Sequence, residues 1–126
     1  MRYGKYMISF TNLTKKRVHR AVFEKLYRKT MPKGFELSVV FAPPALMKKL
    51  NKQYRGKDKV ANVLSFELGS PTTKLGAGEI FLNVREKDLP YLFVHGCLHL
   101  LSYDHQKNKD ALRMESLEQK ILHNRR

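Results

Sequence analysis

The chain has one cysteine among 126 residues, Cys97, so no disulfide can form within it. That usage suits a reducing compartment and predicts a cytoplasmic protein. No apolar run is long enough to span a bilayer. Met1 to Phe10 carries basic residues but no apolar stretch of the kind a secretion signal needs. Internal repeats are absent, and the length suits a single domain, 1–126, with one modest core. Acidic residues are scarce: 11 Asp and Glu against 25 Lys and Arg, a net charge of +14. The scarcity is local. Before Val60 there are 3 acids against 16 bases, and from Val60 onward 8 against 9. A field of that sign favours a polyanionic partner whose binding weakens with salt. The plainer alternative is a lysine-rich solubilising surface. A membrane surface is disfavoured, because no helix pairs a basic face with large exposed apolar residues.

Hydrophobic periodicity predicts an α/β (α+β) fold: a four-stranded mixed sheet packed with helices. Lys5 to Thr11 reads as a strand. Thr14 is the predicted N-cap of a helix reaching about Lys29, with Leu13 stapled onto Val18. Its expected buried stripe is Val18, Ala21, Val22 and Leu26, and Lys16, Arg17, Arg20 and Arg28 face outward. Phe35 to Ala42 is a strand with Leu37, Val39 and Phe41 on one face. Strand, helix, strand implies a right-handed crossover and a parallel pair. Pro44 opens a helix with Leu46, Leu50 and Tyr54 as core stripe, and Arg55 stands at its exit before Gly56. A strand follows from about Asn62 to Leu68, then a flexible Gly69–Gly78 connection, then a strand from Glu79 to Asn83 with Ile80 and Leu82 facing one way. Pro90 starts a largely apolar helix, expected to be central, containing Leu92, Phe93, Leu98 and Leu101. Asp110 is the expected cap of a last helix, Ala111 to about His123.

The chemistry concentrates in His95 to His105. His95 and His99 are four apart, about 40° from each other on one helix face, which lets two imidazoles share a metal ion. His105 returns after the helix breaks as a third ligand. Three protein ligands leave a position open for water, as in catalytic zinc. Cys97 points roughly 200° away and reads as a small buried hydrophobe. The spacing matches metzincin peptidases, but those place a general-base Glu after the first His, and here Gly96 stands there.

The run His-Gly-Cys-Leu-His-Leu-Leu-Ser-Tyr-Asp-His resembles the signature of the YbeY family, His-Gly-x-Leu-His-Leu-x-Gly-Tyr-Asp-His. Ser102 is its single departure, at a position expected to take φ > 0. Leu50 to Phe66 resembles a second family run, Asn-x-x-Tyr-Arg, a Lys-Asp loop, then Asp-Val-Leu-Ser-Phe, with Ala61 and Asn62 where Thr-Asp is usual. Gly78-Glu79-Ile80 resembles the family's Gly-Asp-Ile with a longer acid, and the family's helical insertion before the histidines is short here.

The resemblance implies a metal-dependent, single-strand-specific endoribonuclease. It would act in ribosomal RNA maturation, at the 16S 3′ end, and in ribosome quality control. Implied with it are one Zn²⁺ per chain on His95, His99 and His105, Arg55 in the activity, and partners among single-stranded or ribosomal RNA, the ribosome and small-subunit proteins. Glu79 is either an exposed edge charge or a carboxylate near the metal. Asp104 either caps the turn or orients a ligand histidine. The rival readings are a small metallopeptidase and a non-enzymatic ribosome-assembly factor with a structural metal.

Overall fold

Alternation along four strands decides what each face of the sheet carries. The computed structural model describes residues 7–68 and 76–101. Its elements are β1 (Met7–Asn12), α1 (Arg20–Thr30), β2 (Glu36–Ala42), α2 (Pro44–Arg55), β3 (Val63–Leu68), β4 (Ala77–Asn83) and α3 (Leu89–Leu100). The strand order is β1-β2-β4-β3. β1 and β4 both run parallel to β2, and β3 runs antiparallel to β4, so the sheet is mixed and β3 is one of its edges.

Leu37, Val39, Phe41, Ile80 and Leu82 point to one face, where they meet α1 and α3 in the main core. Phe23 of α1 meets Phe41 edge-on at 5.2 Å and Phe93 of α3 at 5.4 Å, which joins both helices to the sheet. Removing that ring would cost about 3–5 kcal/mol. The other face carries Ala42, Leu64, Phe66 and Phe81 against Met47, Leu46 and Leu50 of α2. α3 is buried on most of its circumference and packs on α1, β3 and β4.

The expected helix start at Thr14 is corrected to Arg20, after His19. The Asn12 carboxamide is the cause. Its Oδ1 accepts from the Thr14 N–H at 2.9 Å and from the Thr14 hydroxyl at 2.7 Å, and its Nδ2 donates to the Lys16 carbonyl at 2.7 Å. Thr14 Oγ1 in turn accepts from the Lys16 N–H, so Thr14 organises a turn instead of capping a helix. The buried stripe of α1 shifts with it, to Phe23, Leu26 and Tyr27, leaving Ala21 and Val22 exposed. Tyr27 follows the core because its hydroxyl donates to the Phe35 carbonyl at 2.6 Å and accepts from the Met7 N–H at 2.9 Å. On α2 the buried residues are Met47 and Asn51, and Tyr54 is 61% exposed with its edge against Phe66. β4 starts at Ala77, two residues before the expected Glu79. The expected helix after Asp110 and the turn at Ser102 lie outside the described residues.

Candidate active site

α3 begins at Asp88, whose carboxylate accepts from the Tyr91 N–H at 3.2 Å, with Pro90 in the first turn. After its half-buried first residues, Leu89 and Pro90, only a narrow edge of α3 holding Tyr91, His95 and His99 escapes full burial. On that edge His95 Nε2 and His99 Nε2 lie 2.9 Å apart, with ring centroids at 4.5 Å. At that distance at most one of the two nitrogens carries a proton. Two imidazoles bound to one tetrahedral zinc at about 2.0–2.1 Å hold their nitrogens roughly 3.3 Å apart. A small rotation of the rings opens the pair to that separation, so both donor atoms fit one ion. Among the described residues no group of three His, Cys, Asp or Glu converges on one point. The expected third ligand, His105, and Asp104 lie outside the described residues.

Gly96 lets α3 sit close on the sheet. A Cβ there would meet Ser65 Oγ at 2.9 Å and Ile80 at 3.2 Å. The Ser65 hydroxyl donates to the Gly96 carbonyl at 3.3 Å. The position where a metzincin-type peptidase carries its Glu therefore faces β3 and β4 at a distance with no room for a side chain. Cys97 is fully buried away from the histidine edge, and burial pushes its thiol up.

Arg55 ends α2 and is exposed beside a cleft also lined by Lys57, Lys59, Asn62 and Glu86. Among the described residues no carboxylate pairs with Arg55, Lys57 or Lys59. The loop presenting them is held by Asn51, which is only 4% exposed. Its carbonyl accepts from the Lys57 N–H at 3.3 Å, and its carboxamide donates to the Lys59 carbonyl at 2.9 Å. Gly56 makes the turn at φ 68°, in the left-handed region. The sequence signal for Asn51 was a polar residue four positions after Met47, on the buried stripe of an amphipathic helix.

Glu79 does not join the histidines. The alternation that turns Ile80 and Leu82 toward α1 and α3 turns Glu79 to the opposite face, where its Oε2 accepts from Ser38 Oγ at 3.2 Å. The carboxylate on the α3 face of the edge strand is Glu67, opposite Gly78 in register, and Leu100 of α3 packs over Gly78. Arg55 and the histidine edge are linked along the β4–α3 loop. Glu86 lines the Arg55 cleft and also a neighbouring one containing Tyr91, and Tyr91 stacks on His95. Among the described residues no helix is long and apolar enough to cross a membrane.

The family model described as Endoribonuclease YbeY matches residues 5–126. Three proteins named Endoribonuclease YbeY are similar. That of Thermodesulfovibrio yellowstonii is 38% identical over 104 residues, 70% of this chain and 65% of the relative. That of Chelativorans sp. is 38% identical over 122 residues, 83% and 75%. That of Persephonella marina is 36% identical over 131 residues, 90% and 84%. The chain thus spans just under two thirds of the first relative's length and more of the other two. These relatives are named for RNA hydrolysis, and the chain itself belongs to the YbeY family of endoribonucleases.

Proposed function

We propose that the protein is a metal-dependent endoribonuclease that hydrolyses phosphodiester bonds in single-stranded ribosomal RNA. The observation that carries this reading is the approach of His95 Nε2 and His99 Nε2 to 2.9 Å on the one open edge of α3. His95, His99 and His105 would hold one Zn²⁺. Such an ion lowers the pKa of a bound water and polarises a phosphoryl oxygen.

The remaining work falls to side chains. Arg55 is exposed, without a carboxylate partner among the described residues, and its forked donors suit a phosphate whose charge grows in the transition state. Lys57 and Lys59 raise the potential around it. Arg17, just before α1, and Arg20 and Arg28 on it are exposed and extend the positive surface along which an RNA backbone could lie. In this reading the protein serves maturation of the 16S 3′ end and ribosome quality control in the cytoplasm, with the ribosome or small-subunit proteins as partners. Gly96 speaks against a peptidase, since a base at that position has no room.

The test uses purified protein of measured metal content and a labelled single-stranded rRNA fragment. Wild type, Arg55→Ala and His99→Ala are each run with and without chelator. Cleavage by wild type alone, abolished by chelator, is the expected result. Tight, salt-sensitive binding with no cutting would overturn it in favour of an assembly factor with a structural metal.

A further inference from the structure

A second cleft adjoins the Arg55 cleft at Glu86. It has a volume of about 450 Å³, within the usual range for a ligand site, and is lined by Arg85, Glu86, Lys87, Asp88, Tyr91 and Leu92. Tyr91 precedes His95 by four residues, the offset that also separates the two histidines. Its ring is half-buried and stacks on His95 with centroids 6.4 Å apart and planes 24° from parallel. One aromatic plane therefore joins the cleft wall to the candidate metal ligands.

The backbone that carries the walls is held by hydrogen bonds. Buried Asn83 takes the Arg85 N–H on its Oδ1 at 3.1 Å and the Glu86 N–H on its carbonyl at 3.0 Å. Asp88 takes the Tyr91 N–H at 3.2 Å. Less ordering entropy is then lost on binding.

Charge separates this cleft from its neighbour. The Arg55 cleft sets Arg55, Lys57 and Lys59 against Glu86 alone and suits a phosphate. Here Arg85 and Lys87 line the cleft together with Glu86 and Asp88, so the formal charges cancel. A neutral cleft with an aromatic wall and the aliphatic Leu92 suits a flat uncharged group, and its carboxylates can accept from exocyclic amines.

We propose that this cleft is a nucleobase subsite in which Tyr91 stacks one unpaired base of the bound strand beside the histidine pair. The proposal rests on the endoribonuclease reading and extends it. A base inside a duplex is already stacked and cannot enter, so the subsite selects single strands.

The test compares binding of a short oligoadenylate with its abasic ribose-phosphate counterpart of equal length. Metal-loaded wild type, Tyr91→Phe and Tyr91→Leu are measured by fluorescence anisotropy. Cutting of the same samples is read on a gel, and circular dichroism and metal content establish that each variant is folded and loaded. Tyr91→Phe should bind like wild type. Tyr91→Leu should bind oligoadenylate about 5- to 100-fold more weakly, the range for losing one base–aromatic stack, and the abasic strand unchanged. Equal weakening on both strands, or no weakening on either, overturns the subsite. Cutting that proceeds without dependence on Tyr91 removes the subsite and leaves the nuclease reading intact. The Tyr91 signature without cutting by any protein does the reverse. A wild type that binds neither strand removes both.

Discussion

The histidine edge of α3 and the Arg55 cleft are built in opposite ways. His95 and His99 project from a helix buried on nearly all other sides, with Gly96 against β3 and β4 and Phe93 against Phe23. Arg55, Lys57 and Lys59 stand exposed at a helix exit, and Asn51 holds the loop between them by two hydrogen bonds. In the proposed reading two ring nitrogens must reach one ion within a few tenths of an ångström, which requires a rigid support. Cations acting on a phosphate through their field tolerate a looser one, and exposure keeps them free of the desolvation that burial would impose. In that reading position matters at the first site, and charge at the second.

The sharpest way to break that contrast is His99→Ala. It should lose bound metal, with cleavage falling to background while the circular dichroism spectrum is kept, since His99 sits on the open edge. Metal bound at the wild-type level would separate the histidines from the ion. Arg55→Ala comes next, with kcat lower by about 10²–10³, the cost of removing one preorganised donor. Its melting temperature should stay at the wild-type value; a large drop would mean that Arg55 supports the fold.

Gly96→Val tests the rigid side by stability. Its Cβ alone would lie 2.9 Å from Ser65 Oγ, and overpacking of this kind costs about 1–3 kcal/mol. Calorimetry should show a fall on the order of 10 °C. Lys57→Gln with Lys59→Gln should leave stability alone and lower the slope of log binding constant against log salt by about 1.4, or ~0.7 per phosphate contact. The same slope in Lys48→Gln with Lys49→Gln, exposed on α2 outside the cleft, would show only a general charge effect. The smallest effect is expected at Cys97. Its raised pKa leaves little thiolate near neutral pH, so iodoacetamide should label it only after denaturation. Rapid labelling of the native protein would mean that α3 is not sheathed as described.

Much of this was legible beforehand, where local pattern and tertiary demand agree. Leu37, Val39 and Phe41 alternate in the sequence and share one buried face; Pro90 marks the start of α3; Pro43 and Pro44 mark the end of β2 and the start of α2. Legibility failed where a side chain had two local uses. Thr14 can cap a helix or close a turn, and Asn12 decides for the turn through three hydrogen bonds to Thr14 and Lys16. Tyr54 fits the periodicity of a core stripe, yet Met47 and Asn51 centre the buried face and leave it in solvent. Glu79 and Glu67 cannot be ranked by residue type; the strand register puts one on the far face and the other on the α3 face.

By itself the sequence determined the class of the fold, the alternating faces of its strands, the distribution of its charge and the two histidines one helical turn apart. Each depends on spacing within a single element, and spacing is a property of the chain. Only the tertiary structure decided that this edge of α3 is the one left open between its neighbours, that Glu79 turns away from the histidines, and that Asn51 is buried where it holds the basic loop. Those relations join residues on different elements, and strand order and helix packing set the distances between them.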